Sequence, residues 1–198
     1  MKVCIGIPSG KYNPTSDFFN HLLHWVPADF SPHNIFVTIS NRVDLNRSVL
    51  IERAKIEGCD VLLMMDSDIF PQTNFHEVLK MYDEDKKMYQ CDVVIGELHQ
   101  IGWNLNPMYS EITKLDSSRS YVYGGSAGFV LIDRKVLQNL KPIDYFDEMT
   151  PLYAVNGVNA TEDYVMFTNM RKQGFRVCVD KRFKLKHKKP AIVGEEVR

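Results

Sequence analysis

Short apolar segments alternate with segments of helical periodicity along most of the chain, and this alternation restricts the fold more than any other feature. The apolar segments "KVCIGIP", "NIFVTIS", "VLLMM", "DVVIGEL" and "AGFVLI" predict five buried strands. Between them, segments such as "TSDFFNHLLHWV" repeat apolar residues at the three- and four-residue spacing of an amphipathic helix. The pattern predicts an α/β fold with a mostly parallel central sheet that is flanked by helices.

Length, composition and net charge further restrict the class of protein. The chain has 198 residues, of which 44% are hydrophobic and 25% charged, and these values predict a single globular domain over residues 1–198. A formal net charge of -1 gives no reason to expect nucleic acid as a partner. Because the apolar runs are too short to cross a bilayer, we expect no transmembrane segment.

The four cysteines lie in or beside the predicted strands and helix ends, at Cys4, Cys59, Cys91 and Cys178. None of them has the short spacing that marks a zinc site or a redox dithiol. We therefore expect them to be small buried side chains in a reducing compartment, and we expect the protein to be cytoplasmic.

Two helices carry recognisable boundary signals. In "RSVLIERAKIEG" we expect Val49, Leu50, Ala54 and Ile56 to face inward, with Gly58 closing the helix. Asn74 precedes another helical segment and, with a glutamate three residues later, resembles a capping box. Residues 99–120 and 142–160 have no clear periodicity, and long loops in a compact α/β domain are often functional.

The most unusual local feature is the pair of carboxylates in "VLLMMDSDIFP", where Asp66 and Asp68 directly follow five apolar residues. If the strand reached Asp68, both carboxylates would leave it on one side. At a separation of 6–7 Å and an effective dielectric constant near 20, they would repel by about 2.5 kcal/mol. A divalent ion with oxygen ligands, Mg²⁺ or Mn²⁺, would offset this repulsion. The alternative is a turn at the strand end, with Asp66 paired to a lysine and Asp68 capping the next segment.

Two enzyme classes place such a pair at a strand end. In phosphatases of the haloacid-dehalogenase group the motif lies near the chain start and continues with Thr or Val, whereas here it lies on the third strand and continues with Ile69. The other class is the GT-A glycosyltransferases, and the chain resembles this family, in a form like family 2, along most of its length.

Four segments carry that resemblance in the expected order. They are "CIGIPSG", "NRSVLIERAKIEGCDVLLMMDSDIFP" with its Asp-x-Asp motif, "GGSAGFVLIDRKVL", and "TEDYVMFTNMRKQGFRV" with a Glu-Asp pair at a helix start. The resemblance implies a nucleotide-binding part over residues 1–100 and an acceptor-side part over 101–198. The chain is short for the family, and minimal versions of this kind also occur in viruses.

The resemblance also implies roles for individual residues. Asp68 and Asp66 would hold Mn²⁺ or Mg²⁺, with Asp66 as a possible partner of the ribose, and His187 would complete the metal site. Ser9 would contact the nucleotide, and Arg47 would pair with a phosphate. The remaining basic residues of "KRFKLKHKK" are compatible with diphosphate neutralisation or with a solvated face.

Asp163 is the residue that we expect to act as the catalytic base. It shares a helical stripe with Met166, Phe167 and Met170, so its carboxylate lies at the rim of a buried face. Such a site favours a general base, although an acidic residue in a first helical turn also suits the helix dipole. In inverting family members the residue at this position deprotonates the acceptor hydroxyl.

The sequence thus predicts a metal-dependent glycosyltransferase that moves a sugar from a UDP- or GDP-sugar to a glycan, protein or other hydroxyl acceptor with inversion. Two alternatives remain open at this point: a phosphatase or nucleotidyltransferase that uses the same acidic pair, and a nucleotide-sugar-binding module without turnover.

Overall fold

The computed structural model describes residues 1–9, 14–40, 42–98, 109–140, 154–155, 158–159 and 162–188. The helices in these ranges are α1 (Ser16–Trp25), α2 (Val43–Ile56), α3 (Phe75–Tyr89), α4 (Arg134–Asn139) and α5 (Glu162–Lys172). The strands are β1 (Val3–Ser9), β2 (Ile35–Ile39), β3 (Val61–Met65), β4 (Ile69–Pro71), β5 (Val93–Gly96), β6 (Tyr109–Lys114), β7 (Arg119–Gly125), β8 (Phe129–Asp133), β9 (Ala154–Val155), β10 (Val158–Asn159), β11 (Val177–Asp180) and β12 (Leu185–His187).

An eight-stranded sheet in the order β2-β1-β3-β8-β5-β11-β7-β6 organises the described residues. Strands β2, β1 and β3 are parallel to one another, and so are β5 and β11. Strand β8 runs antiparallel between β3 and β5, and β7 runs antiparallel to β11. The α/β prediction is confirmed, with a sheet in which antiparallel strands are inserted between parallel ones.

Helices cover both faces of this sheet, as the sequence predicts. One face packs against α2, α4 and α5 through a core that includes Leu50, Val136 and Phe167. The other face packs against α1 and α3 through a core that includes Phe18 and Val78. Strands from both predicted parts of the chain belong to the one sheet, and the division into a nucleotide part and an acceptor part stays a prediction.

The predicted helix boundaries hold at several points. The Asn74 side chain accepts a hydrogen bond from the backbone N–H of His76 and caps α3. Gly58 follows α2 with φ of +65°, a conformation that glycine adopts without a steric penalty. Among the described residues, no helix is long and apolar enough to span a membrane.

The buried face of α2 differs from the prediction. Leu50 and Ala54 are buried as predicted, but Val49 and Ile56 are 48% and 78% exposed, and Arg47 is buried. The helix begins at Val43, four residues before the predicted start, and the stripe at positions 47, 50, 51 and 54 faces the sheet. A charged residue therefore belongs to the face that packs inward.

The unassigned stretches contain strands that local periodicity does not reveal. Residues 109–114 and 119–125 form the β6–β7 hairpin, which includes irregular register shifts. In the second stretch the structure describes the two-residue strands β9 and β10. Residues 99–108 and 142–153 of these stretches lie outside the described ranges.

The cysteine prediction is right about burial and wrong about pairing. Cys4 bonds to Cys59, and Cys91 bonds to Cys178, across 55 and 87 residues of sequence. Cys4 lies on β1 and Cys59 shortly before the adjacent strand β3, while Cys91 and Cys178 are related in the same way through β5 and β11. Sheet order brings these positions together, which sequence spacing does not show. The cytoplasmic location stays a prediction, with one of its supporting observations removed.

Both disulfides should contribute to stability by constraining the unfolded chain. Replacing Cys91 and Cys178 together by alanine should lower the free energy of unfolding by about 2–4 kcal/mol, measured by urea denaturation. Because the chain has four cysteines in all, a variant that lacks all four is the control, and a reducing agent should not change its midpoint. Four alkylatable thiols in the native, unreduced protein would contradict the pairing.

A buried network of charges fixes the β6–β7 hairpin to α3. The Arg119 side chain donates to Asp85 at 2.5 Å and to Asp116 at 2.6 Å. Arg182 donates to Asp180 at 2.7 Å and to Asp85 at 3.1 Å. Burial and the neighbouring Asp180 carboxylate raise the pKa of Asp85 to about 7, against the lowering effect of Arg119.

This raised pKa predicts a specific pH dependence of stability. Between the ordinary Asp pKa of about 3.9 and about 7, native Asp85 retains a proton that the unfolded chain loses. The free energy of unfolding should therefore fall as the pH rises through this window. Urea denaturation at pH 5 and pH 7 should show the decrease in the wild type and a smaller one in Asp85→Asn, and equal decreases would contradict the assignment.

Candidate functional site

The acidic pair lies on a turn rather than on a strand. Strand β3 ends at Met65, and the backbone N–H of Ile69 donates to the carbonyl of Asp66 at 3.0 Å, which closes a turn before β4. The expectation that both carboxylates leave a strand on the same side is therefore wrong, because alternation ends with the strand. Each carboxylate instead faces its own basic partner.

Asp66 is paired with Arg47 from α2. The Nη2 atom of Arg47 lies 3.1 Å and 3.2 Å from the two carboxylate oxygens of Asp66. Arg47 is 2% exposed, so its charge is compensated inside the protein rather than by water. The turn that the alternative predicts is thus present, but the partner of Asp66 is an arginine and not the expected lysine.

The same guanidinium also holds Asp163. Nη1 of Arg47 forms a short ion pair with Oδ1 of Asp163, and the backbone N–H of Ala127 donates to Oδ2 at 3.1 Å. Asp163 is buried beside Met166, Phe167 and Met170, as its helical stripe predicts. Two residues that are 116 positions apart in sequence therefore meet at one point.

The contacts around Arg47 close into a ring. The backbone N–H of Asp66 donates to the carbonyl of Gly128 at 3.0 Å, and Gly128 adjoins Ala127. A Cβ on Gly128 would lie 2.7 Å from Leu98 and 3.3 Å from Oδ2 of Asp66. A side chain at this position would require Leu98 to move, so the segment between β7 and β8 lies close against the acidic turn. We call Asp66, Arg47, Asp163, Ala127 and Gly128 the arginine ring.

Asp68 faces His187 on the other side of the turn. Strand β12 pairs antiparallel with β4 and places His187 opposite Ile69. The Nε2 atom of His187 lies 3.0 Å from Oδ2 of Asp68, which is hydrogen-bond distance. Nδ1 of His187 is buried and has no hydrogen-bond partner among the described residues.

The donor set matches a hard divalent ion. Two carboxylates with one imidazole suit Mn²⁺, and carboxylates alone suit Mg²⁺. Within the described ranges, no group of three or more metal-binding side chains is already gathered, and Asp66 is paired with Arg47. Asp68 and His187 are the residues that fit a metal directly, and Asp66 would join them by changing its partner.

Ser9 lies where β1 ends, and β1 is adjacent to β3. It is buried, and its carbonyl accepts hydrogen bonds from Asn46 Nδ2 at 2.6 Å and from the backbone N–H of Ser40 at 3.2 Å. Sequence reasoning missed Asn46, which directly precedes Arg47 on α2. The signal was available: two polar residues occupy positions of the helix that face the sheet. The contacts of Ser9 and Arg47 with a nucleotide stay predictions.

Further polar residues lie at the ends of β5, β6 and β11. Glu97 follows β5 and accepts from the Tyr109 hydroxyl at 3.3 Å. The Tyr109 hydroxyl, opposed by burial, raises the pKa of Lys181 together with the charges of Glu97 and Glu111. Of the other basic residues near the chain end, Arg182 belongs to the buried network with Asp180, and Lys189 lies outside the described residues.

Comparison with known proteins supports the fold. No protein-family model and no curated protein matches the sequence. Among solved structures, A197 from STIV matches with a TM-score of 0.64 and 20% identity, over 96% of this chain and 87% of A197. GalNAc-T7, solved with UDP, GalNAc and Mn²⁺, matches with a TM-score of 0.60 and 11% identity, over 94% of this chain and 44% of that one. TarS 1-349 from S. aureus matches with a TM-score of 0.56 and 16% identity, over 93% and 59%.

The chain has the GT-A fold. UDP-glucose pyrophosphorylase complexed with UDP-glucose also matches, with a TM-score of 0.54, 11% identity, and coverage of 94% of this chain and 92% of that one. The chain spans 59% of the TarS fragment and 44% of GalNAc-T7, so these two neighbours extend well beyond the part that matches.

Proposed function

We propose that this protein is a metal-dependent glycosyltransferase that moves a sugar from a nucleotide sugar to a hydroxyl acceptor. The observation that carries the proposal is the meeting of Asp66, Asp163 and Arg47 beside the Asp68–His187 pair. Asp66 and Asp68 follow β3, and Asp163 lies in the first turn of α5. In open α/β sheets, ligands bind beyond the carboxyl ends of the parallel strands. Two structural neighbours were solved with UDP or a UDP-sugar, and a UDP-sugar is therefore the donor that we propose first.

Asp68 and His187 would hold Mn²⁺ or Mg²⁺, with Asp66 as a third ligand or as a partner of the ribose. When bound, the ion neutralises the negative charge that the departing diphosphate gains. The observed 3.0 Å separation of Asp68 and His187 supports this assignment. Ser9, at the end of β1, is proposed to contact the nucleotide.

Asp163 is proposed as the base. The acceptor oxygen forms a bond to the anomeric carbon, the bond from that carbon to the diphosphate breaks with its electron pair on the phosphate oxygen, and the acceptor proton passes to Asp163. This direct displacement inverts the anomeric carbon. A carboxylate has about four acceptor positions, so the contacts of Asp163 with Arg47 and Ala127 are compatible with receiving a proton.

The metal and donor assignment predicts a ligand-dependent gain in stability. Mn²⁺ with UDP should raise the melting temperature, since a ligand at 100 times its Kd stabilises the native state by about 2.7 kcal/mol. Asp68→Ala should abolish the gain in a thermal-shift assay. Asp83→Ala is the control, because Asp83 pairs with Lys87 on the surface of α3. If neither UDP nor GDP shifts the wild type with Mn²⁺, the donor site is wrong.

The base assignment predicts a separation of binding from turnover. Asp163→Asn should keep the thermal shift with Mn²⁺ and UDP but lose turnover by about 10²–10⁴-fold, the usual contribution of a general base. Turnover is measured as UDP released from a panel of UDP-sugars with sugar acceptors present. Asp17→Asn, an exposed first-turn residue of α1, serves as the control. Unchanged turnover in Asp163→Asn would remove Asp163 as the base.

A nucleotidyltransferase is the second candidate, because UDP-glucose pyrophosphorylase matches over 92% of its own length. It would use the same carboxylates to hold a metal beside a phosphate undergoing attack. The products separate the two reactions: a glycosyltransferase releases UDP from a UDP-sugar, whereas a pyrophosphorylase forms UTP and sugar phosphate from UDP-sugar and pyrophosphate. Formation of UTP only when pyrophosphate is added would favour the second candidate.

A further inference from the structure

The buried guanidinium of Arg47 lies between Asp66, on the proposed donor side, and Asp163, the proposed base. Nη2 faces Asp66 at the donor side, and Nη1 faces Asp163 at the acceptor side. The residue is 2% exposed and comes from the inward stripe of α2, with Leu50 and Ala54 on the same stripe. Its position is therefore set by packing as well as by charge.

We propose that Arg47 is a positioning residue that fixes Asp163 relative to the donor site, and that it does not bind the diphosphate. The inference rests on the proposed function and deepens it. It differs from the phosphate contact that the resemblance implies, because both Nη atoms of Arg47 point at carboxylates. A planar guanidinium can hold two carboxylates in fixed directions, which a lysine ammonium cannot do.

The arginine ring explains how the constraint works. Asp163 is held from one side by Arg47 and from the other by the Ala127 backbone, at 3.1 Å. The adjoining Gly128 carbonyl accepts from the backbone of Asp66 at 3.0 Å, so the ring returns to the donor side. Arg47 therefore contacts both carboxylates, while the segment 127–128 holds the carboxylate of Asp163 and the backbone of Asp66.

This arrangement makes the position of Asp163 depend on Arg47. If Asp66 shifts toward a bound metal, the guanidinium keeps its ion pair with Asp163 and remains a fixed reference for the base. Loss of the bridge would leave donor binding by Asp68 and His187 in place while Asp163 loses its orientation. Displacement of a reacting group by about 1 Å can cost about 10²-fold in rate.

The test is a comparison of Arg47→Lys with Arg53→Lys. Arg53 lies on the same helix and forms a surface ion pair with Glu57, so its replacement should change nothing. For Arg47→Lys we expect kcat for UDP release from the best UDP-sugar to fall by about 10²-fold, while the donor KM and the thermal shift with Mn²⁺ and UDP stay at wild-type values. Arg47→Lys should also resemble Asp163→Asn, and combining the two should cost little beyond either alone.

A tenfold or greater increase in donor KM for Arg47→Lys, with kcat unchanged, would mean that Arg47 is a phosphate ligand and would overturn the inference. Should Arg47→Lys fail to fold, a crystal structure of the wild type with UDP and Mg²⁺ decides: Arg47 on Asp163 supports the inference, and Arg47 on the diphosphate overturns it. Failure of the proposed function is seen separately, as absence of any thermal shift with Mn²⁺ and UDP in the wild type.

Discussion

The two-sided ion pair of Arg47 is the interaction on which the candidate site depends. A buried arginine is costly unless carboxylates surround it, and two carboxylates brought this close repel each other unless a cation lies between them. The positive charge of Arg47 is compensated by the carboxylates of Asp66 and Asp163, and it reduces the repulsion between them. Their contacts connect β3, α2 and α5 with the segment before β8, and these elements lie in both halves of the chain.

The two aspartates of the acidic turn have different partners and different exposure. Asp66 forms an ion pair with the buried Arg47, whereas Asp68 pairs with His187 and is more exposed. A metal at the proposed site would therefore meet Asp68 and His187 beside each other, and Asp66 already paired with Arg47. This order of availability is a consequence of where β3 ends, since the turn lets the two carboxylates face different partners.

Much of the fold follows from local sequence pattern. The apolar strands, the Asn74 cap, the Gly58 turn and the inward stripe of Asp163 all rest on residues within one helix or strand, where periodicity and capping chemistry act directly. The two disulfides, the antiparallel insertion of β8 and the β6–β7 hairpin depend on which strands become neighbours, and nothing local in the sequence states this. Arg47 illustrates both cases. Its place on the buried stripe can be predicted from the sequence once the start of α2 is known. Its contact with Asp163, 116 residues away, cannot be predicted from local sequence.

The central claim is that Arg47 couples the acidic turn to Asp163 energetically as well as geometrically. A double-mutant cycle of Asp66→Asn and Asp163→Asn, followed by urea denaturation, measures this coupling between two residues that both contact the same guanidinium. We predict a coupling free energy of about 0.5–3 kcal/mol, the range for residues in one ion-pair network. Additive effects of the two substitutions, with a coupling indistinguishable from zero, would contradict the account.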